Sequence, residues 1–467
     1  MPPLLAAGAV ERARAEAEAA WPGLPAWRLR LLPPLLGVYF TLALCLFSWL
    51  SCGQVLSGLC GLAPASTALT ALRRRLGPRP FELLLGQVAG ALSPGAEPWS
   101  HVCGLLAVAW DGTTLKLPAS AANAAWAGRW KESAHYPRAR LVVLAACGTR
   151  ALLGAAPGPS RTGERALAAT LTGHLRAGML LLADRGFYSW DLWHAAAGTG
   201  ADLLWRAKND LRLPVVRALP DGSWVTRVDD PRQVKLRAAR ERKRKQRPAS
   251  RGRRPEPARL PGARIRVIEF TVTVTCGDGA ARTERYRLLT TLLDHQAAPA
   301  AVLAAAYAGR WAVETALGDL KARLRGPGRV LRSRTPDLAL QEIWAYLIVY
   351  QALRALIART AAGHRLDPAR LSFTTALNTA RASAGLRPAD ALARAEAALL
   401  AAPVPARPGR VRPRAVREPG PAYPRARGED HIARRVRYAV TVTPPATPPG
   451  TPPHQPKHPA RQPEPPP

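Results

Sequence analysis

Acidic residues are scarce in this sequence of 467 residues. It has 32 Asp and Glu residues against 67 Lys and Arg residues, so its formal net charge is +35. Such an excess argues against a cationic partner and favours a polyanion, with nucleic acid first and an anionic membrane second. A GC-rich coding bias would also raise the arginine content without any function. Because the positive charge is spread through every segment, we predict nucleic-acid binding.

Cysteine is also rare, and its spacing argues against a metal-thiolate site. None of the six cysteines forms a CxxC pair, and no histidine pair completes a zinc site. Several cysteines lie in apolar runs, which is typical of buried free thiols in a reducing compartment. The sequence also lacks the GxSxG and GxxxxGK[ST] motifs, so nothing indicates the hydrolase or nucleotide chemistry that those motifs carry.

Only one apolar run, residues 31–51, is long enough to span a bilayer. Two prolines interrupt its start, and nothing similar occurs later in the chain. We therefore predict a buried core helix there, although a membrane-associated protein is an alternative that rests on this stretch alone. The N-terminus shows no signal peptide, and we expect a cytoplasmic protein.

The chain is organised around residues 307–321, YAGRWAVETALGDLK, which we call the signature segment. It is rich in Ala and Leu and free of proline, so we predict a helix. At about 100° per residue, Tyr307, Arg310, Glu314 and Lys321 fall within a ~60° sector of that helix. Such a stripe is typical of a solvated face with internal ion pairs. It also suits a metal ligand beside a phosphate backbone, if other acidic residues lie close by.

Buried strands supply those acidic residues. Residues 105–117 (LLAVAWDGTTLKL) predict a strand, an Asp-Gly turn and a second strand, with Asp111 at the end of the first. An ordinary hairpin aspartate is the alternative for Asp111. Residues 141–147 predict a third strand, and residues 179–185 (MLLLADR) a fourth that ends at Asp184. Carboxylates at the carboxyl ends of buried strands lie where α/β proteins bind ligands.

A fifth strand is predicted at residues 202–208 (DLLWRAK), with Arg206 and Lys208 on the same face. Short strand-like pieces then alternate with turns up to about residue 296. Between them lies the basic run of residues 234–254, which we predict to be a loop on an inserted β subdomain. The run would either track DNA phosphates or form a solvated insertion.

Asp111, Asp184 and Glu314 thus form a set of two strand carboxylates and one helix carboxylate. Clustered carboxylates suit Mg²⁺ or Mn²⁺, and two such ions about 4 Å apart can promote phosphoryl transfer. Acids on the first and fourth strands and on a late helix predict an α/β fold with a ribonuclease-H-like catalytic core. An RNA-hydrolysing enzyme shares this core geometry, but the β insertion and the signature segment argue against it.

The chain resembles the DDE transposases of bacterial insertion sequences, in the branch with the Y-(2)-R-(3)-E-(6)-K signature. The signature is complete in the signature segment, and WDGTTL and LADRGFY match around Asp111 and Asp184. The resemblance extends over roughly residues 30–360. It implies cut-and-paste transposition, with strand nicking, hairpin formation and resolution, and strand transfer by the metals that Asp111, Asp184 and Glu314 hold.

The resemblance also implies the partners. They are double-stranded DNA, as terminal inverted repeats and as target, and a second copy of the chain in the DNA complex, with no membrane and with nucleoid association. Tyr307, Arg310 and Lys321 would hold the terminal phosphates. Tyr286 takes the position where relatives often stack a flipped base on tryptophan, although cross-strand packing is an alternative role for it. The alternative function is a catalytically silent relative that binds ends without cutting.

We predict four regions along the chain. The helices of the first region include a possible helix-turn-helix at residues 55–76, for which an ordinary helical hairpin with a basic end is an equal alternative. Low apolar content and many prolines predict disorder in the last region. The regions are a helical, DNA-end-binding part (1–98), the catalytic domain (99–362, with the β insertion at 209–296), C-terminal helices (363–402) and a disordered tail (403–467).

Overall fold

The computed structural model describes residues 34–60, 66–92, 97–128, 135–207, 211–245, 262–275, 281–405 and 437–442. Four helices open the described chain: α1 (Pro34–Leu46), α2 (Cys52–Cys60), α3 (Ser66–Leu76) and α4 (Arg79–Val88). Nine residues of α1 are buried, as the sequence predicts for its apolar run. No helix within the described ranges is long and apolar enough to cross a membrane.

Five strands form one half of a single large sheet. They run in the spatial order β4–β3–β2–β5–β6, in which β2, β5 and β6 are parallel and β3 is antiparallel to both of its neighbours. This is the topology of the ribonuclease-H fold, as the sequence predicts. The strands, with the short β1 that pairs with β2, are β1 (His101–Val102), β2 (Leu105–Lys116), β3 (Arg138–Ala146), β4 (Leu152–Pro159), β5 (Met179–Ala183) and β6 (Asp202–Arg206).

The β insertion continues the same sheet. Its long hairpin joins β6 edge to edge, so the order extends as β6–β10–β9–β8–β7. The insertion contributes β7 (Arg217–Ala218), β8 (Trp224–Asp229), β9 (Gly262–Thr275) and β10 (Ala281–Thr290). The basic run, residues 234–254, was predicted to be a loop, and this is wrong for residues 234–245, while residues 246–254 lie outside the described residues. Pro231–Lys245 forms helix α8, since the run has no Gly or Pro before residue 248.

Two details of the predicted strands are also wrong. The Asp-Gly pair at residues 111–112 makes no turn, because β2 continues through it and Gly112 pairs with Val142 of β3. Gly112 instead permits a close approach, since a Cβ atom there would lie 2.8 Å from the Glu164 carboxylate. The prediction also missed β4. Its five strands include β2 counted as two separate strands.

Helices cover both faces of the sheet. One face packs against α6 (Glu164–Thr170) and α7 (Trp190–Ala197), with Trp110, Trp193 and Trp205 in its core. The other face packs against the signature segment and α11 (Pro336–Gly363), a helix with 21 buried residues. The remaining helical elements are α5 (Ala121–Ala127), a 3₁₀ turn (Thr172–His174), α9 (Ala300–Ala306), a 3₁₀ turn (Pro368–Arg370), α12 (Phe373–Ala382) and α13 (Pro388–Ala401).

The N-terminal helices share a core with the part of the chain that contains the large sheet. Leu42 of α1 and Phe81 of α4 belong to the same buried cluster as Leu347 of α11. Arg73, in the basic end of α3, is also buried and donates through Nε to Gln341 Oε1 at 2.8 Å. This arginine therefore fixes the N-terminal helices to α11.

Residues 403–467 were predicted to be disordered; residues 406–436 and 443–467 lie outside the described residues, and the prediction is wrong for the segment between them. Residues Arg437–Val442 form strand β11, which pairs antiparallel with the second half of β9. The sequence there, RYAVTV, is rich in β-branched residues, and the edge of β9 beyond β8 offers unpaired backbone groups for it.

Candidate active site

Asp111 and Asp184 take equivalent positions on neighbouring parallel strands. Ala109 of β2 is in register with Leu182 of β5, and each aspartate lies two residues further along its strand direction. Because side chains alternate between faces, both aspartates lie on the face that carries the signature segment. In each case a carboxylate oxygen accepts the N–H of the next residue at 2.8 Å. The sheet thus brings the two predicted acids together.

The signature segment is helical throughout, but its pitch changes twice. Tyr307–Arg310 forms a 3₁₀ turn, Trp311–Gly318 forms helix α10, and Asp319–Leu324 forms a π-helical turn. The prediction of one regular helix is therefore right in extent and wrong in pitch. Wider π turns are frequent at functional sites, where they change the direction of a side chain.

Two hydrogen bonds fix the signature segment across both strands. The hydroxyl of Tyr307 donates to the carbonyl oxygen of Ala183 at 3.3 Å, directly before Asp184. The ammonium of Lys321 donates to Thr113 Oγ1 at 2.8 Å, two residues after Asp111. The two ends of the segment are thereby attached to the two strands that carry the aspartates, and Glu314 lies between these ends.

Arg310 supplies positive charge among the three acids. Its Nη2 donates to Glu314 Oε1 at 3.0 Å, and its side chain is only 8% exposed. Burial lowers the pKa of Arg310, but Tyr307 and the three carboxylates outweigh this effect, so its pKa lies above its ordinary value. Arg310 therefore stays charged and partly compensates the repulsion between the acids.

Burial and neighbouring charge also change the other signature side chains. Burial raises the pKa of the Tyr307 hydroxyl, which therefore stays protonated as a donor. Burial, together with Arg325 and Arg138, lowers the pKa of Lys321, against the opposing effect of Asp111.

Burial raises the pKa of Asp111 to about 6, and the negative charge of Glu314 acts in the same direction. The hydrogen bond from the Gly112 N–H and the positive charge of Arg310 act in the opposite direction. Glu164 also raises this pKa, although no motif in the sequence points to it. Its side chain lies against Gly112 on the opposite face, and it forms an ion pair with Arg140 at 3.6 Å. Apart from its place at a helix start after Gly163, no sequence feature points to this fourth carboxylate.

One pH-dependent prediction follows from Asp111. Because its pKa is higher in the folded protein than its ordinary value of 3.8, the folded state binds more protons between the two values. Ionisation of the partly buried Asp111 carboxyl destabilises the folded protein. This loss of stability is absent at low pH, grows as the pH rises and is complete above a pH of about 6. Asp111→Asn should therefore stabilise the metal-free protein at pH 7.5 by up to about 3 kcal/mol. Melting in EDTA should show this gain disappear towards pH 4, and an equal gain at both pH values would contradict it.

The donor atoms of the three acids are of the kind that divalent metal ions bind. Carboxylate oxygens on a partly desolvated surface are the ligands that Mg²⁺ and Mn²⁺ prefer. Neither aspartate forms an ion pair with a Lys or Arg side chain of the described ranges. However, no three His, Cys, Asp or Glu side chains within those ranges converge closely enough to hold one ion. The chemistry of the donors fits, and the carboxylates must move closer together to share an ion.

Two of the remaining predicted DNA contacts, Tyr286 and Arg206, lie where the insertion joins β6. Tyr286 of β10 is in register with Phe270 of β9, and their rings stack with centroids 5.3 Å apart. The guanidinium of Arg206 lies 4.1 Å from the centroid of the Tyr286 ring and is paired with Glu284. The structure therefore places Tyr286 in the cross-strand packing role, where a stacked base would have to displace a neighbour. Lys208 lies outside the described residues.

Comparison with known proteins identifies the family. The family described as Transposase DDE domain matches residues 103–352, which is 352 − 103 + 1 = 250 of the 467 residues. The chain belongs to the DDE transposase family. A second family, Insertion element 4 transposase N-terminal, matches residues 17–86. The DDE match includes Asp111, Asp184 and Glu314.

One curated relative of this DDE transposase chain is the transposase InsG for insertion sequence element IS4 of Escherichia coli (strain K12). It is 26% identical over 295 residues, which is 62% of this chain and 60% of the relative. The chain thus matches less than two thirds of that relative's length. Among solved structures, a piggyBac transposase synaptic complex with hairpin DNA is similar over 85% of this chain and 84% of that one, with a TM-score of 0.41 and 10% identity.

Proposed function

We propose that this protein catalyses cut-and-paste transposition of an insertion sequence by metal-dependent phosphoryl transfer. Family membership supports the reaction class. The observation that carries the proposal is the pair of bonds from Tyr307 to Ala183 and from Lys321 to Thr113. These bonds hold Glu314 over the two strands from which Asp111 and Asp184 project.

In this proposal, Asp111, Asp184 and Glu314 hold two Mg²⁺ or Mn²⁺ ions. Bound ions of this kind supply an activated water or 3′-hydroxyl and stabilise the leaving oxygen of a phosphodiester. Arg310 and Lys321 supply positive charge beside the carboxylates, where a scissile phosphate would lie. Tyr307 positions the segment by its bond to the strand of Asp184. The same site would nick the strands, form and resolve the hairpin, and transfer the strands.

The proposed DNA partners are the terminal inverted repeats and the target, bound by two copies of the chain. The net charge of +35 supports a large electrostatic footprint. Helix α8 adds cationic residues to it, among them the exposed Lys235 and Arg240 and the half-buried Arg237. For the N-terminal helices, end binding is proposed through the exposed positions of α3, since Arg73 is used for packing.

The charge distribution leads to a salt prediction. The logarithm of the DNA association constant should fall linearly with the logarithm of salt concentration, by about 0.9 for each neutralised phosphate. Replacing Lys235, Arg237 and Arg240 of α8 together by Gln should reduce the slope by roughly 1–3 if the helix follows the DNA backbone. Fluorescence anisotropy with labelled duplex measures both slopes. A flat salt response in the wild type would contradict the electrostatic account, and an unchanged slope in the variant would place α8 away from DNA.

The experiment that tests the proposed function is cleavage of DNA that carries the element's own ends. With Mg²⁺ the wild type should cut at the ends, and with EDTA it should bind without cutting. Binding without cutting in Mg²⁺ and in Mn²⁺ would instead identify a catalytically silent end-binding relative. Cutting of an RNA strand but not of the DNA ends would identify a hydrolase.

A further inference from the structure

A polar cleft of about 470 Å³ lies next to the signature segment, outside the predicted acid site. The loop after the segment lines it with Arg325, Arg329 and Arg332, and α11 contributes Glu342. The turn after α1 contributes Trp49. We call this space the arginine cleft. None of its arginines belongs to the Y-R-E-K signature.

The cleft carries unbalanced positive charge. Its three arginines face a single acid, which gives 3 − 1 = +2 for the lining residues. The carboxylate of Glu342 already accepts the N–H groups of Arg332 and Ser333, at 3.0 and 3.1 Å, and the Ser333 hydroxyl at 2.7 Å. Within the described ranges it forms no ion pair with any of the three guanidinium groups. Glu342 therefore fixes the backbone of the loop and does not neutralise the side chains.

The three arginines differ in how their donors are satisfied. Arg329 donates through Nη1 to the carbonyl oxygen of Ser48 at 2.8 Å, and Arg332 donates to the same oxygen. Arg325 is 6% exposed, and its Nε and Nη1 find no acceptor among the described residues. Burying a guanidinium without acceptors costs free energy, so such an arrangement calls for a ligand. The ligand must offer acceptors only and carry negative charge.

Two further observations favour a nucleic-acid strand over an isolated anion. Arg325 follows Lys321 by one turn of the same π-helical region, and its charge acts on Lys321, whose pKa it helps to lower. The cleft therefore extends the cationic path that begins at the acid site. Trp49 is 51% exposed and packs beneath the guanidinium of Arg381, with 4.5 Å between that group and the indole centroid. A flat aromatic surface beside a phosphate site is typical of nucleotide contacts.

We propose that the arginine cleft binds a backbone phosphate of the DNA, with Arg325 as its principal donor and Arg329 and Arg332 beside it. A phosphodiester offers two acceptor oxygens, and a guanidinium can bind them in bidentate geometry. The site positions the DNA strand on the far side of Lys321 from the acids. This proposal rests on the proposed function for the identity of the DNA, and its phosphate contact does not depend on base sequence.

Arg325→Met tests the proposal, because it removes the charge and keeps the length of the side chain. Anisotropy with duplex carrying the element's ends, in Ca²⁺ and at four salt concentrations, should show about tenfold weaker binding. The log–log salt slope should fall by about 0.9, which corresponds to one phosphate. The melting temperature of the free protein should stay equal or rise, because the replaced donors have no acceptors. Arg325→Lys should restore part of the affinity. Arg387→Met is the matched control, since Arg387 is an exposed arginine outside the cleft.

Several results would overturn the proposal. Unchanged affinity and slope in Arg325→Met would do so, and a lower melting temperature with unchanged affinity would assign Arg325 a packing role. If inorganic phosphate raises the melting temperature of the wild type while the variant keeps its DNA affinity, the cleft binds a free anion. End cleavage by the wild type, measured in parallel, separates the two claims. If the wild type does not cut the DNA ends, the proposed function is wrong, and the affinity measurements still test whether the arginine cleft binds a phosphate.

Discussion

Glu314→Gln should reduce end cleavage by at least about 1,000-fold, because it removes one carboxylate charge from the proposed metal site, where bound ions would stabilise the transition state. DNA affinity should change by less than about threefold, since glutamine keeps the shape of the side chain and one acceptor oxygen for Arg310. The measurement is single-turnover cutting of own-ended DNA in Mg²⁺, with anisotropy in Ca²⁺ for binding.

The matched control for this change is Glu396→Gln. Glu396 lies on α13, and its side chain is 39% exposed. Within the described residues its recorded hydrogen-bond partner is the exposed His364. It should cut like the wild type. Equal cutting by Glu314→Gln and the wild type would mean that the signature segment does not supply the third acid. Loss of binding together with cutting would point to misfolding or to a role of Glu314 in the DNA contact.

Asp319→Ala should destabilise the protein by about 3–5 kcal/mol, the largest stability effect that we expect from one side chain. Asp319 belongs to the π-helical turn and is 2% exposed. It forms an ion pair with Arg354 of α11, which is 1% exposed, and it also accepts from Arg323 Nη1 at 2.5 Å. Its removal leaves the buried Arg354 charge without its carboxylate. Urea unfolding, followed by circular dichroism, measures the effect.

The double variant Asp319→Ala with Arg354→Met distinguishes the effect of an unpaired buried charge from the effect of lost side-chain packing. It should recover more than half of the loss, because replacing a buried pair by apolar groups is often close to neutral. Asp390→Ala is the control, since the Asp390–Arg387 pair is exposed and should contribute less than about 0.5 kcal/mol. A loss for Asp319→Ala as small as that of the control would show that this pair does not hold the signature segment against α11.

The sequence predicts the elements that carry the three candidate acids because each acid stands in a strong local pattern. Asp184 ends an apolar run, and Glu314 lies in a helix-forming segment with fixed spacing. Asp111 was placed on the right strand, but the Asp-Gly pair suggested a turn that the structure does not form. A tertiary contact favours the continuous strand at this point, because the Glu164 side chain packs against the Gly112 backbone. No local pattern carries that information.

Strand β4 was missed for a similar reason. Its sequence LLGAAPGP contains two glycines and two prolines, which are typical of a loop. The prolines are tolerated because β4 is the edge strand of the sheet. The glycines permit close packing, since a Cβ atom at Gly154 would lie 2.6 Å from His174 and one at Gly158 would lie 3.0 Å from Leu167.

Sequence patterns also did not predict strand β11 or the changes of helical pitch in the signature segment. Composition averaged over 65 residues describes a Pro-rich tail, while six residues within it supply the pairing partner of β9. The π-helical turn brings Lys321 to Thr113, and the buried ion pair of Asp319 with Arg354 lies in the same turn. A regular 100° period cannot show such a turn, because tertiary contacts stabilise it.

We propose that Asp111, Asp184 and Glu314 act on a scissile phosphate of DNA through metal ions. The most direct test replaces a non-bridging oxygen of that phosphate by sulfur and measures wild-type cleavage in Mg²⁺ and in Mn²⁺. Because Mn²⁺ accepts the softer sulfur better than Mg²⁺ does, one sulfur isomer should be cut at least about tenfold more slowly in Mg²⁺ and be restored by Mn²⁺, while Glu314→Gln should cut in neither. Equal cutting of oxygen and sulfur substrates in Mg²⁺, with Glu314→Gln as active as the wild type, would contradict the account.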